Sequence, residues 1–270
     1  MIIELEPNAF GTTAALFDAP CMEFVINALV VGNCHGRIWV DSPSGPTSAF
    51  LWNKGPQYYF AGRADNREFN DSVRQVILKQ IAPSPDSYMV IYYSSDAWVE
   101  QLPGIFTQRH LQKAPRCLYR SDTLNIPDWR AQLPQNISIV PIDRQLTTRT
   151  HLTNLDQVIG EIQFMWPSID LFFERAYGFC ALHGDNEIVC WCTGEYTNGN
   201  HIGIGIETAE NYQRKGLATL TASAFVEHCI SNGIEAHWDC WTRNVPSVLT
   251  AEKVGFRKAV DYDVFWGQTG

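Results

Sequence analysis

The stretch ENYQRKGLATLTASAFVEHCISNG, residues 210–233, places charge and glycine ahead of a long apolar run. Past Gly216 the run has a helical period. Thr219, Ser223, Glu227 and Ser231 recur every four residues as one narrow polar stripe. Leu217, Leu220, Ala222, Ala224, Phe225, Val226, Cys229 and Ile230 cover most of the remaining surface. A helix of this kind is largely buried, so its mouth is held rigidly. Gly233 stands where a left-handed C-terminal stop is expected. The mouth of a helix leaves amide groups unpaired and carries partial positive charge, which makes phosphate its natural ligand. Gly216 and Ala218 are small enough to allow a close approach. The amides from Arg214 to Thr219 can converge there as a nest, and Arg214 and Lys215 add positive charge. A solvated helix start has the same composition, so the flanking sequence has to decide between the two.

Upstream, residues 177–182, 187–196 and 201–207 read as three antiparallel strands in a meander. Their turns, His183-Gly184-Asp185-Asn186 and Thr197-Asn198-Gly199-Asn200, are rich in residues that tolerate turn dihedrals. Before them come a strand, ISIVPI (137–142), and helical sequence over 154–175 that is interrupted at Pro167. After the decisive stretch come a strand HWDCW (237–241), a short helix over 246–253 and a last strand over 262–266.

The first half reads as mixed α/β. FVINALVVG (24–32) and GRIWVDS (36–42) have strand character. SAFLW (48–52) and QYYFAG (57–62) form a hairpin across Asn53-Lys54-Gly55-Pro56. Residues 66–81 have helical spacing and stop before Pro83 and Pro85. SYMVIYYS (87–94) is a buried strand, 96–106 a short helix and RCLYRS (116–121) a further strand. Asn33-Cys34-His35-Gly36 is better explained as a turn than as a nucleophile and base. The proline-bearing stretch 121–136 has linker character, giving an N-terminal mixed α/β domain over 1–130 and a second domain over 131–270.

Composition adds limits. The chain has 270 residues and a formal charge of −9, which argues against nucleic acid and anionic membranes as partners. It contains no apolar run long enough to span a bilayer. Its start, MIIELEPNAFGTT, lacks the basic and apolar regions of a signal peptide, so a cytoplasmic protein is expected. None of the eight cysteines forms a C-x-x-C pair. Cys190 and Cys192 share a strand face but lack further ligands nearby in sequence, so reduced buried thiols and no metal site are expected.

The run IETAENYQRKGLA, with AEKVGF downstream, resembles the GNAT superfamily of acyl-CoA-dependent N-acetyltransferases. That family's signature, Q/R-x-x-G-x-G/A, is matched by Gln213, Gly216 and Ala218. The resemblance covers about 136–266 and is closest to a bacterial subgroup with an extra N-terminal α/β domain. It implies an α/β (α+β) fold with a mainly antiparallel sheet flanked by helices. It also implies acetyl-CoA as donor, and coenzyme A held by Gln213, Arg214, Lys215, Gly216, Leu217, Ala218 and Thr219. Ile206 and Thr208 are expected to face the pantetheine arm, with Asn244 and Ser247 near the cofactor. The acceptor is a primary amine of a small molecule or peptide, attacking directly. The cleft between the halves is its default location, and a homodimer is left open.

Amine acetylation needs a base, an oxyanion donor and a thiolate that can leave. Ile202, Ile204 and Ile206 alternate with Gly203, Gly205 and Glu207, as in a half-buried strand with space beside its glycines. Glu207 is the carboxylate of this strand and the candidate base, with His201, Glu195 and Asp239 as rivals. The family often carries a tyrosine acid where this chain has Ala251. Tyr262, Cys240 or solvent are the substitutes. That departure supports an alternative, a non-catalytic acyl-CoA-binding or sensing module.

Overall fold

The computed structural model describes residues 2–81, 88–121 and 123–268. Twelve strands run in chain order: β1 (Ile3–Glu4), β2 (Arg37–Val40), β3 (Ser48–Trp52), β4 (Gln57–Gly62), β5 (Met89–Tyr93), β6 (His110–Ser121), β7 (Ile137–Pro141), β8 (Gly178–His183), β9 (Glu187–Asn198), β10 (His201–Thr208), β11 (Glu235–Trp241) and β12 (Arg257–Gln268). The chain forms two compact units, one of Met1–Arg116 with Tyr262–Gly270, the other of Cys117–Asp261. No helix among the described residues is long and apolar enough to cross a membrane.

In the first unit the strands follow the order β1-β2-β3-β4-β5-β12. The expected hairpin joins β3 to β4, with Phe50 opposite Phe60. β5 then runs parallel to β4. The core is aromatic: Trp39 stacks on Phe50 at 5.3 Å, Phe50 lies 4.9 Å from Phe60, and Phe69, Trp98 and Phe106 close the cluster. The helix Arg67–Val76, continued by a π turn over Ile77–Ile81, supplies the expected 66–81 segment; Pro83 and Pro85 lie outside the described residues. Residues 96–106 form a 3₁₀ turn, Asp96–Trp98, and a short helix, Leu102–Ile105.

One reading of the sequence is overturned. The apolar run 24–32 is not a strand but most of a helix, Pro20–Val30. Its buried residues, Met22, Val25, Ile26 and Leu29, recur at three- and four-residue steps, and Pro20 sits in the first turn, where its missing N–H costs nothing. A continuous apolar run does not distinguish a buried strand from a helix by period alone. Cys34 follows this helix as a buried thiol that burial pushes up to about 12, so it has no nucleophilic character at neutral pH.

The second unit, which takes β6 from Cys117 onward, orders its strands β6-β11-β10-β9-β8-β7. The meander β8-β9-β10 is antiparallel as expected, and β7 extends it antiparallel to β8. β11 alone runs parallel to β10. On one face lies the helix Leu217–Ser231, with Phe225, Val226 and Cys229 packed on Ile202, Ala236 and Trp238. On the other lie Leu155–Met165 and Ile169–Arg175, separated at Pro167 as expected, with Val158, Ile162, Trp166 and Phe172 packed on Leu182 and Trp191. Trp166 also donates through Nε1 to the Gly194 carbonyl at 2.9 Å. This mixed, mainly antiparallel sheet flanked by helices is the fold the sequence implied.

Candidate active site

The helix Leu217–Ser231 begins as its sequence requires. Gly216 is its N-cap at φ 80°, and Arg214 is also left-handed at φ 60°. Only glycine holds such a φ without cost. A Cβ on Gly216 would meet no atom within 4 Å, so the space over the cap is open. The first amide to enter the helix is that of Leu220, which donates to the Gly216 carbonyl at 3.2 Å. Among the described residues, the amides from Arg214 to Thr219 donate to no protein group. Alternating left-handed residues and unpaired amides form an anion-binding concavity. Lys215 lies over the Tyr212 ring at 4.7 Å, and both Arg214 and Lys215 are exposed. Diphosphate needs convergent N–H donors and positive charge, and this loop supplies both. Gly233 ends the helix at φ 66°, with the Ile234 amide donating back to Cys229.

β10 runs alongside. It pairs with β9 along its whole length, from His201 to Thr208. Its pairing with β11 ends at Gly203↔His237, although both strands continue. From Ile204 onward the β11-facing edge of β10 is therefore open backbone. Ile206 packs against Leu217 and Cys190. The Thr208 hydroxyl contacts Cys190 Sγ at 3.2 Å, and its carbonyl accepts from Gln213 Nε2 at 3.2 Å. Gln213 thus ties the start of the loop to the end of β10. Asn244 caps the helix Val245–Val254, its side chain accepting from the Ser247 amide, while Ser247 Oγ accepts from Trp238 Nε1 at 3.0 Å.

The alternation of β10 puts His201, Gly203, Gly205 and Glu207 on the face that carries the helix Leu155–Met165. A Cβ on Gly205 would overlap Glu195 Oε1 and come within 2.8 Å of Glu161 Oε1 and 3.0 Å of Thr193 Oγ1. The space beside the glycine holds two carboxylates. Glu161 accepts from Trp191 Nε1 at 2.6 Å and Thr193 Oγ1 at 2.8 Å. Burial outweighs these bonds and raises its pKa, with the charge of Glu207 adding to the rise. Burial, then the charges of Glu161 and Asp239, push Glu195 up to about 8. Two enclosed carboxylates this close cannot both ionise readily. Glu207 is exposed at the strand end. It lines a cavity of about 540 Å³ with Glu187, Glu210, Tyr212 and Gln213.

The other residues named from sequence are placed as follows. His201 lies at the start of β10 with Nδ1 3.1 Å from Nε2 of His237. Cys240 is buried, 3.6 Å from Cys117 Sγ, and burial pushes it up to about 12. Tyr262 belongs to the first unit, where its hydroxyl accepts from Arg116 Nε at 3.3 Å. Ala251 is fully buried in the core beneath β11. Glu161 escaped the sequence reading. Its signal was a carboxylate three residues after Val158 and next to Ile162, on the core-facing stripe of an amphipathic helix.

The profile of the GNAT acetyltransferase family matches residues 14–265. The chain belongs to that family. Over 263 residues it is 27% identical to the uncharacterized N-acetyltransferase YdfB of Bacillus subtilis (strain 168), and the match covers 97% of each chain. Its fold is similar to that of a GCN5-related N-acetyltransferase-like protein from Streptococcus suis 89/1591, with a TM-score of 0.73 at 18% identity, covering 97% of this chain and 99% of that one. A GCN5-related N-acetyltransferase from Sphaerobacter thermophilus gives a TM-score of 0.57 at 14% identity, covering 98% and 95%. As a GNAT protein, the chain is an acyltransferase that transfers acetyl groups.

Proposed function

We propose that this GNAT protein, acting in the cytoplasm, takes the acetyl group from acetyl-CoA and passes it to a primary amine of a small molecule or peptide by direct attack. The observation that carries this reading is the set of unpartnered amides from Arg214 to Thr219, at the mouth of a buried helix beside the open edge of β10. The loop holds the diphosphate of coenzyme A. The free edge from Ile204 to Thr208 offers backbone groups to the pantetheine arm, which aims the thioester at the point where β10 and β11 part.

The acceptor reaches the glycine face of β10. The charge of Glu207 and the acceptor oxygens of Glu161 and Glu195 make that side suited to an alkylammonium group. Glu195 takes the ammonium proton. A base titrating near 8 matches this task better than an exposed carboxylate, because its proton affinity approaches that of the group it deprotonates. Glu207 holds the amine in the cavity. The freed lone pair attacks the thioester carbonyl carbon, the C–N bond forms, and a backbone N–H at the end of β10 takes the developing oxyanion charge. The C–S bond then breaks, the attacking nitrogen gives up its second proton to solvent and becomes the amide, and the thiolate leaves. Solvent supplies its proton, since Ala251 stands at the usual tyrosine place and Cys240 is enclosed.

Release of the coenzyme A thiol, followed with a thiol reagent against a panel of primary amines, tests the reading. Acceleration by at least one amine supports it. Binding of acetyl-CoA with no acceleration by any amine refutes it in favour of a sensing module.

A further inference from the structure

At the start of β10, away from the diphosphate loop, the parallel register His201↔Glu235 and Gly203↔His237 gathers three side chains on one face. Gly203, the register partner of His237, has no side chain. His201 Nδ1 and His237 Nε2 lie 3.1 Å apart, and Glu235 Oε1 is 3.3 Å from the first and 3.0 Å from the second. Each of these atoms can present a lone pair, the ring nitrogens in the tautomer that protonates the other nitrogen. A neutral imidazole has one proton, and a single N–H can point at only one acceptor. Glu235 Oε1 is buried and, among the described residues, accepts no hydrogen bond of proper geometry despite two nitrogens within 3.3 Å. A ring-to-ring hydrogen bond accounts for the two imidazoles, but not for the buried Glu235 Oε1 set against both.

A shared cation does. With metal–ligand bonds of about 2.0–2.2 Å, a tetrahedral site sets its ligand atoms roughly 3.3 Å apart. We propose that His201 Nδ1, His237 Nε2 and Glu235 Oε1 bind a divalent transition-metal ion of the zinc class. Two imidazoles and a carboxylate are a donor set for that class. The His201 and Glu235 side chains are 38% and 31% exposed, so solvent reaches the fourth position. Arg120 Nε stands 3.8 Å from the same Glu235 oxygen, a looser contact than a hydrogen bond, and the second carboxylate oxygen remains to it once Oε1 is ligated. The ion joins β10 to β11 across the first and last of their three paired positions, the last being where the strands part.

The test uses the full chain, stripped with a chelator, desalted and titrated with zinc chloride by calorimetry, with metal content read by mass spectrometry. We expect one equivalent bound and a rise in melting temperature. We expect affinity to fall about 100-fold or more in both His201→Ala and Glu235→Gln. Both positions are partly exposed, so the metal-free variants should melt as the metal-free parent does. A parent that takes up no zinc overturns the proposal, and so do variants that bind zinc as tightly as the parent.

Discussion

Replacing Glu195 with glutamine keeps the shape of the side chain and removes its charge. In the fold this carboxyl is pushed up to about 8 from an ordinary 4.5, first by burial and then by Glu161 and Asp239. Its folded pKa is raised, so its contribution to stability is fully present below about 4.5 and is lost as pH climbs toward 8. At pH 7 the unfolded chain ionises this group and the fold resists, over a span worth about 1.36 kcal/mol per pH unit, or about 3 kcal/mol. Glu195 is enclosed by its neighbours but keeps part of its surface. Solvent access reduces the figure. We expect Glu195→Gln to be more stable than the parent by about 2 kcal/mol at pH 7, with the difference shrinking to near zero at pH 4.5. Urea unfolding at a series of pH values reads this directly. The same variant should lose acetyl transfer by about 100-fold or more, because the base is gone. A stability difference that does not change with pH, or a variant as active as the parent, would refute the reasoning.

Three further outcomes follow from the geometry. Gly216→Glu puts a charged side chain over the loop at a φ of 80°; we expect a stability loss of about 1–2 kcal/mol and coenzyme A affinity, measured by calorimetry, reduced below detection. Gly205→Ala sets a methyl group against Glu195 Oε1 and Glu161 Oε1, so turnover should fall about tenfold or more while acetyl-CoA affinity stays unchanged. Cys240→Ala should leave the turnover number within about threefold of the parent and yield no acyl-enzyme in intact-mass spectra, because a thiol pushed up to about 12 is not a nucleophile.

The second unit was legible because its signals are local. Turn glycines, the interruption at Pro167 and the polar stripe of the helix after Gly216 each specify their own conformation, and all agree. The helix Pro20–Val30 was misread because FVINALVVG is apolar on every side, and only its tertiary packing selects the helical period. At the site, Gly216 and the loop could be read from spacing and resemblance, since backbone amides do the binding and their placement follows from the helix start. The carboxylate pair could not. Glu161 and Glu195 are far apart in sequence and meet only because β9 pairs with β10 and a helix covers that face. Glu207 drew notice as the carboxylate on the glycine strand itself. Raised proton affinity is a property of enclosure, and sequence spacing carries no measure of it. The convergence of His201, Glu235 and His237 depends in the same way on a parallel register between strands separated by a whole helix.

The most direct measurement is a crystal structure of the protein with coenzyme A bound. The account predicts diphosphate oxygens within about 3 Å of the amides of Gly216 and Ala218. It also predicts pantetheine hydrogen bonds to the β10 edge beyond Gly203, and the thiol at the parting of β10 and β11. Coenzyme A lying away from the 214–219 loop, or a loop whose amides turn inward onto protein when the ligand is present, would contradict it.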